Sequence, residues 1–367
     1  MLGFAKNASI VIAILVIVGL SIWGGLALWY RLPFPELFRA LAAFCFVAFG
    51  LAATIALAGY LPLRLTAIFV LAFAILLVWW STIKPPAQAD WSADVDRQVT
   101  GTINGNLLTL TNVRDFQWRG ETDFTERWET KTYDLDKVRS VDLFLSYWAG
   151  PEMAHGIISF GFEDGRYLAW SAEVRRRKGG EFSPVADLFK SNPLVLVAAE
   201  ERDVIGVRSN IRNEDVQLYR LNVPPAQARR LLLEYIDDAN ELAKEPVFFN
   251  SLTTNCTTTI VKMVSAVGDR APLDWRLVAN GYLSNYAYDH GALDRRLPFS
   301  QIKKESHIRE RALDGGLSSD FSRRIREGVH NPLRAVMHVR PVIVETLMLL
   351  RTRRGYNKAG AKNHAAL

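Results

Sequence analysis

The sequence predicts three membrane-spanning helices followed by one α+β domain. Three observations lead there. Residues 8–30, 40–58 and 65–82 carry no charge and are strongly apolar. Beyond residue 85 come several short runs with strand-like alternation, bounded by turn residues. Near Pro225 the apolar period changes to that of a helix, so strands and helices are segregated along the chain.

A helix needs roughly 20 apolar residues to cross a hydrocarbon core about 30 Å thick. Residues 8–30 meet this directly, and the next two segments meet it by taking in Leu61 or Ile83. The first run is too long for a cleaved signal peptide, and two more spans follow it. Trp29, Tyr30, Tyr60, Trp79 and Trp80 fall at the span ends, where amphipathic rings favour the headgroup zone. Lys6 and Arg64 lie on one side of such a bundle and Arg31, Arg39 and Lys84 on the other, so flanking charge alone leaves the orientation open. The organisation expected is a membrane domain over 1–84, a linker over 85–98 that opens with Pro85-Pro86, a folded domain over 99–335 and a tail over 336–367.

The net charge of +6 is uneven. Residues 323–367 hold 10 basic and 2 acidic side chains, whereas 85–322 hold 29 basic and 35 acidic. The basic tail follows the apolar run 342–350, a pattern suited to an anionic membrane surface and equally to a solvated tail after a last core helix. No nucleic-acid motif accompanies it, so no nucleic-acid partner is expected. Cys45 lies within the second span and reads as a small apolar residue. Cys256 is the only cysteine of the folded domain, so it has no disulfide partner there.

Within the domain, 99–112 alternates around Asn104-Gly105, a hairpin signal. Residues 127–135 and 141–148 read as strands. Residues 155–162 and 167–175 flank Glu163-Asp164-Gly165, which suits a three-residue hairpin loop with Gly165 left-handed. Residues 193–199, 204–208 and 216–221 also read as strands. A helix is expected over 225–243, opening at a proline, and a second over 256–267 with Ile260, Met263, Val264 and Val267 on one face. Asn255 or Thr254 caps the second, and Gly268 stops it.

Cys256 therefore sits where a helix begins. Unpaired N–H groups and the helix dipole there favour a thiolate and can hold an oxyanion, for which Asn255 and Thr257 are the candidate positioning residues. A thiol nucleophile also needs a base. Of six histidines, His155 is the one that opens a core strand. With a three-residue loop, facing residues of the hairpin sum to 328, which puts Glu173 opposite His155 on the same face of the sheet. A one-residue slip would turn Glu173 away, and Ser171 is the fallback in the first register. Each of these side chains also has an ordinary structural reading: helix start, strand start, and a partner for Arg175 or Arg176. His155 and Glu173 supply only two metal ligands, so neither a metal nor any other cofactor is expected. The run Arg175, Arg176, Arg177 and Lys178 can bind a phosphate headgroup or simply be a solvated turn.

Several stretches in order carry a resemblance. They are Asn112-Val113-Arg114-Asp115-Phe116, Lys131-Thr132-Tyr133-Asp134-Leu135, Ala154-His155-Gly156 and Ser159-Phe160-Gly161-Phe162. Then come Glu173-Val174-Arg175, Glu201-Arg202-Asp203 and Thr254-Asn255-Cys256-Thr257-Thr258. Together they resemble the Lnb N-terminal periplasmic domain family over about 112–326. The resemblance implies a permuted papain-like (NlpC-type) fold with an antiparallel sheet, the histidine strand preceding the cysteine helix. It implies a Cys256–His155 pair with Glu173 as third member, although many relatives have a β-branched residue where this chain has Gly156. It further implies a periplasmic domain on an inner-membrane anchor, and a lipoprotein N-acyltransferase. Such an enzyme moves an acyl chain from a phospholipid, through a cysteine thioester, to the α-amine of a diacylated lipoprotein. Two rivals remain open on the sequence: an envelope amidase or peptidase using the same Cys–His machinery, and a non-catalytic anchored scaffold.

Overall fold

The computed structural model describes residues 2–266 and 272–333. The tail expected over 336–367 and the stop at Gly268 lie outside the described residues. The chain divides into two units: Met1–Thr100, Ala172–Val197 and Asp237–Thr259 form the first, and Gly101–Ser171, Ala198–Ile236 and Ile260–Leu367 the second.

The first unit opens with α1 (Leu2–Arg31), α2 (Glu36–Leu57) and α3 (Arg64–Thr82), all long and apolar enough to cross a membrane. Inside a bilayer apolar side chains gain nothing by leaving lipid for protein, so helices associate through close packing and small residues. That is the pattern here. A Cβ at Gly50 would lie 1.8 Å from Ser21 Oγ, and one at Gly24 would lie 2.3 Å from Phe46. Ile17, Ala53 and Phe69 form the contact core, with Leu20, Phe46 and Phe49 around it. Thr66 Oγ1 on α3 donates to the Ala53 carbonyl on α2 at 2.9 Å. The outward side chains are large and apolar, among them Leu15, Phe44 and Leu71. α2 ends because Gly59 adopts φ +89°, which lets Gly59 N–H reach the Ala56 carbonyl and Tyr60 N–H the Ile55 carbonyl, a Schellman stop.

The sheet runs β1 (Thr100–Asn104), β2 (Leu107–Arg114), β9 (Leu194–Ala199), β8 (Tyr167–Val174), β7 (Ala154–Phe162), β6 (Val138–Tyr147) and β10 (Asp215–Arg220), with β5 (Trp128–Asp134) added to β2. A two-strand ribbon of β3 (Gln117–Trp118) and β4 (Phe124–Thr125) stands apart. The expected strands are present apart from one. The β1–β2 turn centres on Gly105-Asn106, one residue later than Asn104-Gly105, with Gly105 at φ +61°.

In the second unit β6, β7 and β10 pair antiparallel, and their central residues are almost wholly buried. α6 (Pro225–Lys244) lays Leu231, Leu232 and Tyr235 inward, and the Tyr235 ring meets Trp170 at 5.5 Å and Phe160 at 5.9 Å. Two short helices, α4 (Pro184–Asp187) and α5 (Glu201–Val204), and the cysteine helix α7 (Cys256–Ala266) complete the elements used below.

Residues 204–208 are a correction: they are helical, the end of α5 running into a wide π-turn over Val207–Ile211. A short β-branched run reads the same in a buried helix as in a strand. Distant partners decide the matter. Glu201 accepts from Ser159 Oγ (2.6 Å) and from Arg326, Arg202 grips Asp115, and Asp203 accepts from Arg114, the Phe116 N–H and Trp118 Nε1. Asp203, Glu201 and Asp115 are fully buried, and buried carboxylates persist only when paired in this way.

Candidate functional site

The β7–β8 hairpin sets the position of His155. Gly165 takes φ +82°, the Phe162 N–H donates to the Arg166 carbonyl at 2.9 Å, and Gly165 N–H donates back to the Phe162 carbonyl. The loop is thus three residues long, and Ile157 pairs with Ser171, Ile158 with Trp170 and Gly161 with Tyr167. Each pair sums to 328. His155, Ile157 and Ser171 therefore share one face, and His155 Nε2 lies 2.6 Å from Ser171 Oγ. Ser171 is buried and His155 half-buried. The hydroxyl can give or accept the proton according to the imidazole tautomer. On the other side of β7, Ser146 pairs with His155 and donates its own hydroxyl to Glu214.

The start of β7 is fixed as well. Ala154 N–H donates to Asn280 Oδ1 at 2.9 Å, and Gly281 N–H to the Glu152 carbonyl. A Cβ at Gly281 would stand 2.1 Å from the Pro151 carbonyl oxygen, so a glycine is needed there for the close approach.

Cys256 begins α7 and is 8% exposed. Asn255 caps the helix: its Oδ1 accepts Thr258 N–H at 3.0 Å, while Thr258 Oγ1 accepts Asn255 N–H at 2.8 Å. This is a capping box with Thr in the place of Glu or Gln. The Asn255 amide Nδ2 donates to the Ser251 carbonyl. Both ends of the Asn255 side chain thus shape the turn, and the backbone N–H groups of the helix start lie beside it. Thr257 is buried beside it.

The turn before Cys256 is strapped to residues 184–192. Asn250 and Thr254 exchange backbone hydrogen bonds, and Asn250 Oδ1 accepts from the N–H groups of Leu252 and Thr253. Phe249 N–H donates to the Asn192 carbonyl, Ser251 Oγ to that of Pro184, and Asn250 Nδ2 to that of Leu188. The strap in turn meets the ends of the apolar helices. The Phe189 ring stacks on Tyr30 at 5.5 Å and lies 6.3 Å from both Trp23 and Trp80. Lys190 Nζ donates to the Trp80 carbonyl at 2.7 Å. Two links therefore join the cysteine turn to the ends of α1 and α3.

The basic run divides. Arg175 donates to the carbonyls of Val95 and Asp96 and lies 4.9 Å over Trp91, and burial pushes its guanidinium below its usual range. Arg176 pairs with Asp94 at 2.7 Å. These two hold the linker, whereas Arg177 and Lys178 are exposed. Glu173 lies two residues past Ser171 on β8, is half-buried and has partners of its own. Cys256, Asn255, Thr257 and Glu173 belong to the first unit, His155 and Ser171 to the second.

No local pattern in the sequence marks Phe189, Lys190, Asp187 or Phe248, the ring that Arg31 overlies at 5.5 Å. The contacts of Phe189 and Lys190 with Trp23, Tyr30 and Trp80 run to residues more than 100 positions away, beyond any periodicity. The turn dipeptide Asn192-Pro193 was the one local hint that this stretch bends. Asp187 is fully buried: Oδ1 accepts Asn192 Nδ2, Oδ2 has no partner, and burial raises its carboxyl to about 6.

Residues 124–281 match the family model of the Lnb N-terminal periplasmic domain. No curated protein and no solved structure matches the chain.

Proposed function

Since residues 124–281 of this membrane-anchored chain form a domain of the Lnb N-terminal periplasmic domain family, we propose that the protein is a thiol-dependent acyltransferase of the inner membrane, working on its periplasmic side. The observation that carries the reading is the strap from the Cys256 turn to the ends of α1 and α3, through Phe189 and Lys190. A nucleophile tied to the ends of membrane-spanning helices suits an acyl donor that lies in the bilayer. The fold we infer is the permuted papain-like one, with the His155 strand preceding the Cys256 helix.

In the proposed cycle His155 takes the Cys256 proton, and the thiolate attacks the ester carbonyl of a phospholipid. Backbone N–H groups at the start of α7 stabilise the oxyanion, and the lysolipid leaves as an alcohol on taking a proton from His155. The acyl thioester then meets the free α-amine of a diacylated lipoprotein. His155 accepts the amine proton, the amide forms, and the thiol is regenerated. Ser171 orients the imidazole from the first step to the last, with Glu173 next along the same face of β8. Apolar surroundings near the bilayer would keep water from the thioester, which separates a transferase from a hydrolase on the same residues.

The test is the mass of a reporter lipoprotein's N-terminal peptide in cells lacking their own N-acyltransferase. A third acyl chain is expected with wild-type protein and not with Cys256→Ala. No added chain, with both proteins present in the membrane, would overturn the N-acyltransferase assignment and favour the hydrolase.

A further inference from the structure

Four cations of the first unit gather at the domain-side ends of α1 and α3: Arg31, Lys84, Arg177 and Lys190. Among the described residues none of them makes an ion pair. Arg31 ends α1, lies 5.5 Å over the Phe248 ring, and its Nε is buried without a hydrogen-bond partner. Lys190 stands near the same ring, 5.8 Å from its centroid, and 4.8 Å over Trp80. Its Nζ donates to the carbonyls of Trp80 and Ile83, which uses two of three N–H bonds and leaves one. The backbone of Lys190 takes φ +58°, a left-handed conformation that a lysine rarely adopts. Lys84 follows Ile83 directly. Burial together with the charges of Arg31 and Lys84 pushes the Lys190 amine below its usual range, and Arg31 in turn feels Arg177.

Like charges drawn together without a counter-charge are unfavourable, and more so where solvent is partly excluded. Cations on the translocated side of spans also run against the usual bias toward the cytoplasmic side. Both features fit an anion supplied from outside the chain. Trp23, Tyr30 and Trp80 gather around Phe189 in the same unit, and Trp and Tyr are the residue types enriched where headgroups meet hydrocarbon.

We propose that Arg31, Lys84, Arg177 and Lys190 form a binding site for the phosphate of a phospholipid headgroup, with Phe248 and Trp80 as its apolar floor. The assignment deepens the acyltransferase reading and rests on it for the site's purpose: a donor lipid held there would lie beside the strap that carries the Cys256 turn. The phosphate takes the free Lys190 N–H bond and the Arg31 fork, and Lys84 and Arg177 add charge.

The test is native mass spectrometry of the full-length Cys256→Ala chain in detergent, titrated with phosphatidylglycerol, diacylglycerol or inorganic phosphate. With the thiol gone, acyl transfer plays no part, so the result stands whether or not the enzyme reading does. Retention of phosphatidylglycerol but not diacylglycerol is expected, about tenfold weaker in Arg31→Gln/Lys190→Gln. Because Lys190 also holds the end of α3, Lys84→Gln/Arg177→Gln serves as a second pair, and it too is expected to weaken retention. Equal retention of both lipids, or unchanged binding in both variant pairs, would overturn the site. Displacement of the lipid by equimolar inorganic phosphate would overturn the lipid assignment in favour of a free anion.

Discussion

His155 and Ser171 lie diagonally across the β7–β8 pair, with Nε2 and Oγ 2.6 Å apart. The three-residue loop at Gly165 determines this, since a slip of one residue would turn Ser171 to the opposite face. A serine hydroxyl fixes the ring's rotation but, unlike a carboxylate, adds no charge to favour imidazolium. Ser171→Ala is therefore expected to lower turnover roughly 10- to 100-fold, a fraction of what a general base contributes, with the protein still present in the membrane. The rate-against-pH profile should change less than its height, and Ser171→Thr should restore much of the rate. Full activity in Ser171→Ala would pass the orienting role to Glu173, which Glu173→Gln then tests.

Asn255 holds the start of α7 from both ends of its amide. Asn255→Ala is expected to cost about 1 kcal/mol, the usual worth of an N-cap, read as a lower melting temperature of the purified chain. Asn255→Asp keeps the acceptor for Thr258 N–H and should recover most of the loss. If both melt alike, the cap is not what stabilises the turn.

Gly156 and Ile260 are packed closely enough to be tested against each other. A Cβ at Gly156 would stand 3.1 Å from Ile260 Cδ1, the far end of a flexible side chain. Gly156→Ala should be tolerated, whereas Gly156→Val is expected to cost about 1–3 kcal/mol by overpacking. Ile260→Val removes the crowding methyl, so the double variant should melt above Gly156→Val alone. A purely additive pair would contradict the contact.

Asp187 gives a pH dependence whose sign follows from its burial. Its carboxyl is raised from 3.8 to about 6 because burial disfavours the charged form, which the Asn192 amide only partly offsets. The folded chain thus holds this proton more tightly than the unfolded one. The stabilisation is full below about pH 4 and is lost as pH rises through about 6. Asp187→Asn should flatten melting temperature against pH over that window and gain about 2 kcal/mol near pH 7 relative to wild type. An unchanged slope would show that another group titrates there.

The spans, most of the strands and the hairpin register were legible because each is a local pattern: a charge-free run, a period of two, a loop of fixed length around Gly165. Cys256 at a helix start and His155 at a strand start were legible for the same reason. Residues 204–208 are not legible locally, because Val, Ile and Val in a short apolar run suit either element and the choice lies with Glu201, Arg202 and Asp203 gripping Ser159, Asp115 and Arg114. Arg175 and Arg176 look like a free basic run in sequence, yet Asp94, Val95 and Asp96 occupy them. Lys190 carried no local sign of its role, since its partners Trp80 and Ile83 lie more than 100 residues earlier.

The proposed cycle makes Cys256 the carrier of an acyl chain taken from a membrane lipid. The most direct measurement is peptide mass spectrometry of the full-length chain incubated, without any acceptor, in vesicles whose phospholipid bears a heavy-isotope acyl group, then quenched in acid. The heavy acyl mass is expected on the Cys256 peptide, removed by neutral hydroxylamine and missing in His155→Ala. An unmodified Cys256 peptide alongside undiminished phospholipid would contradict it, and free heavy fatty acid in place of the adduct would make the protein a hydrolase.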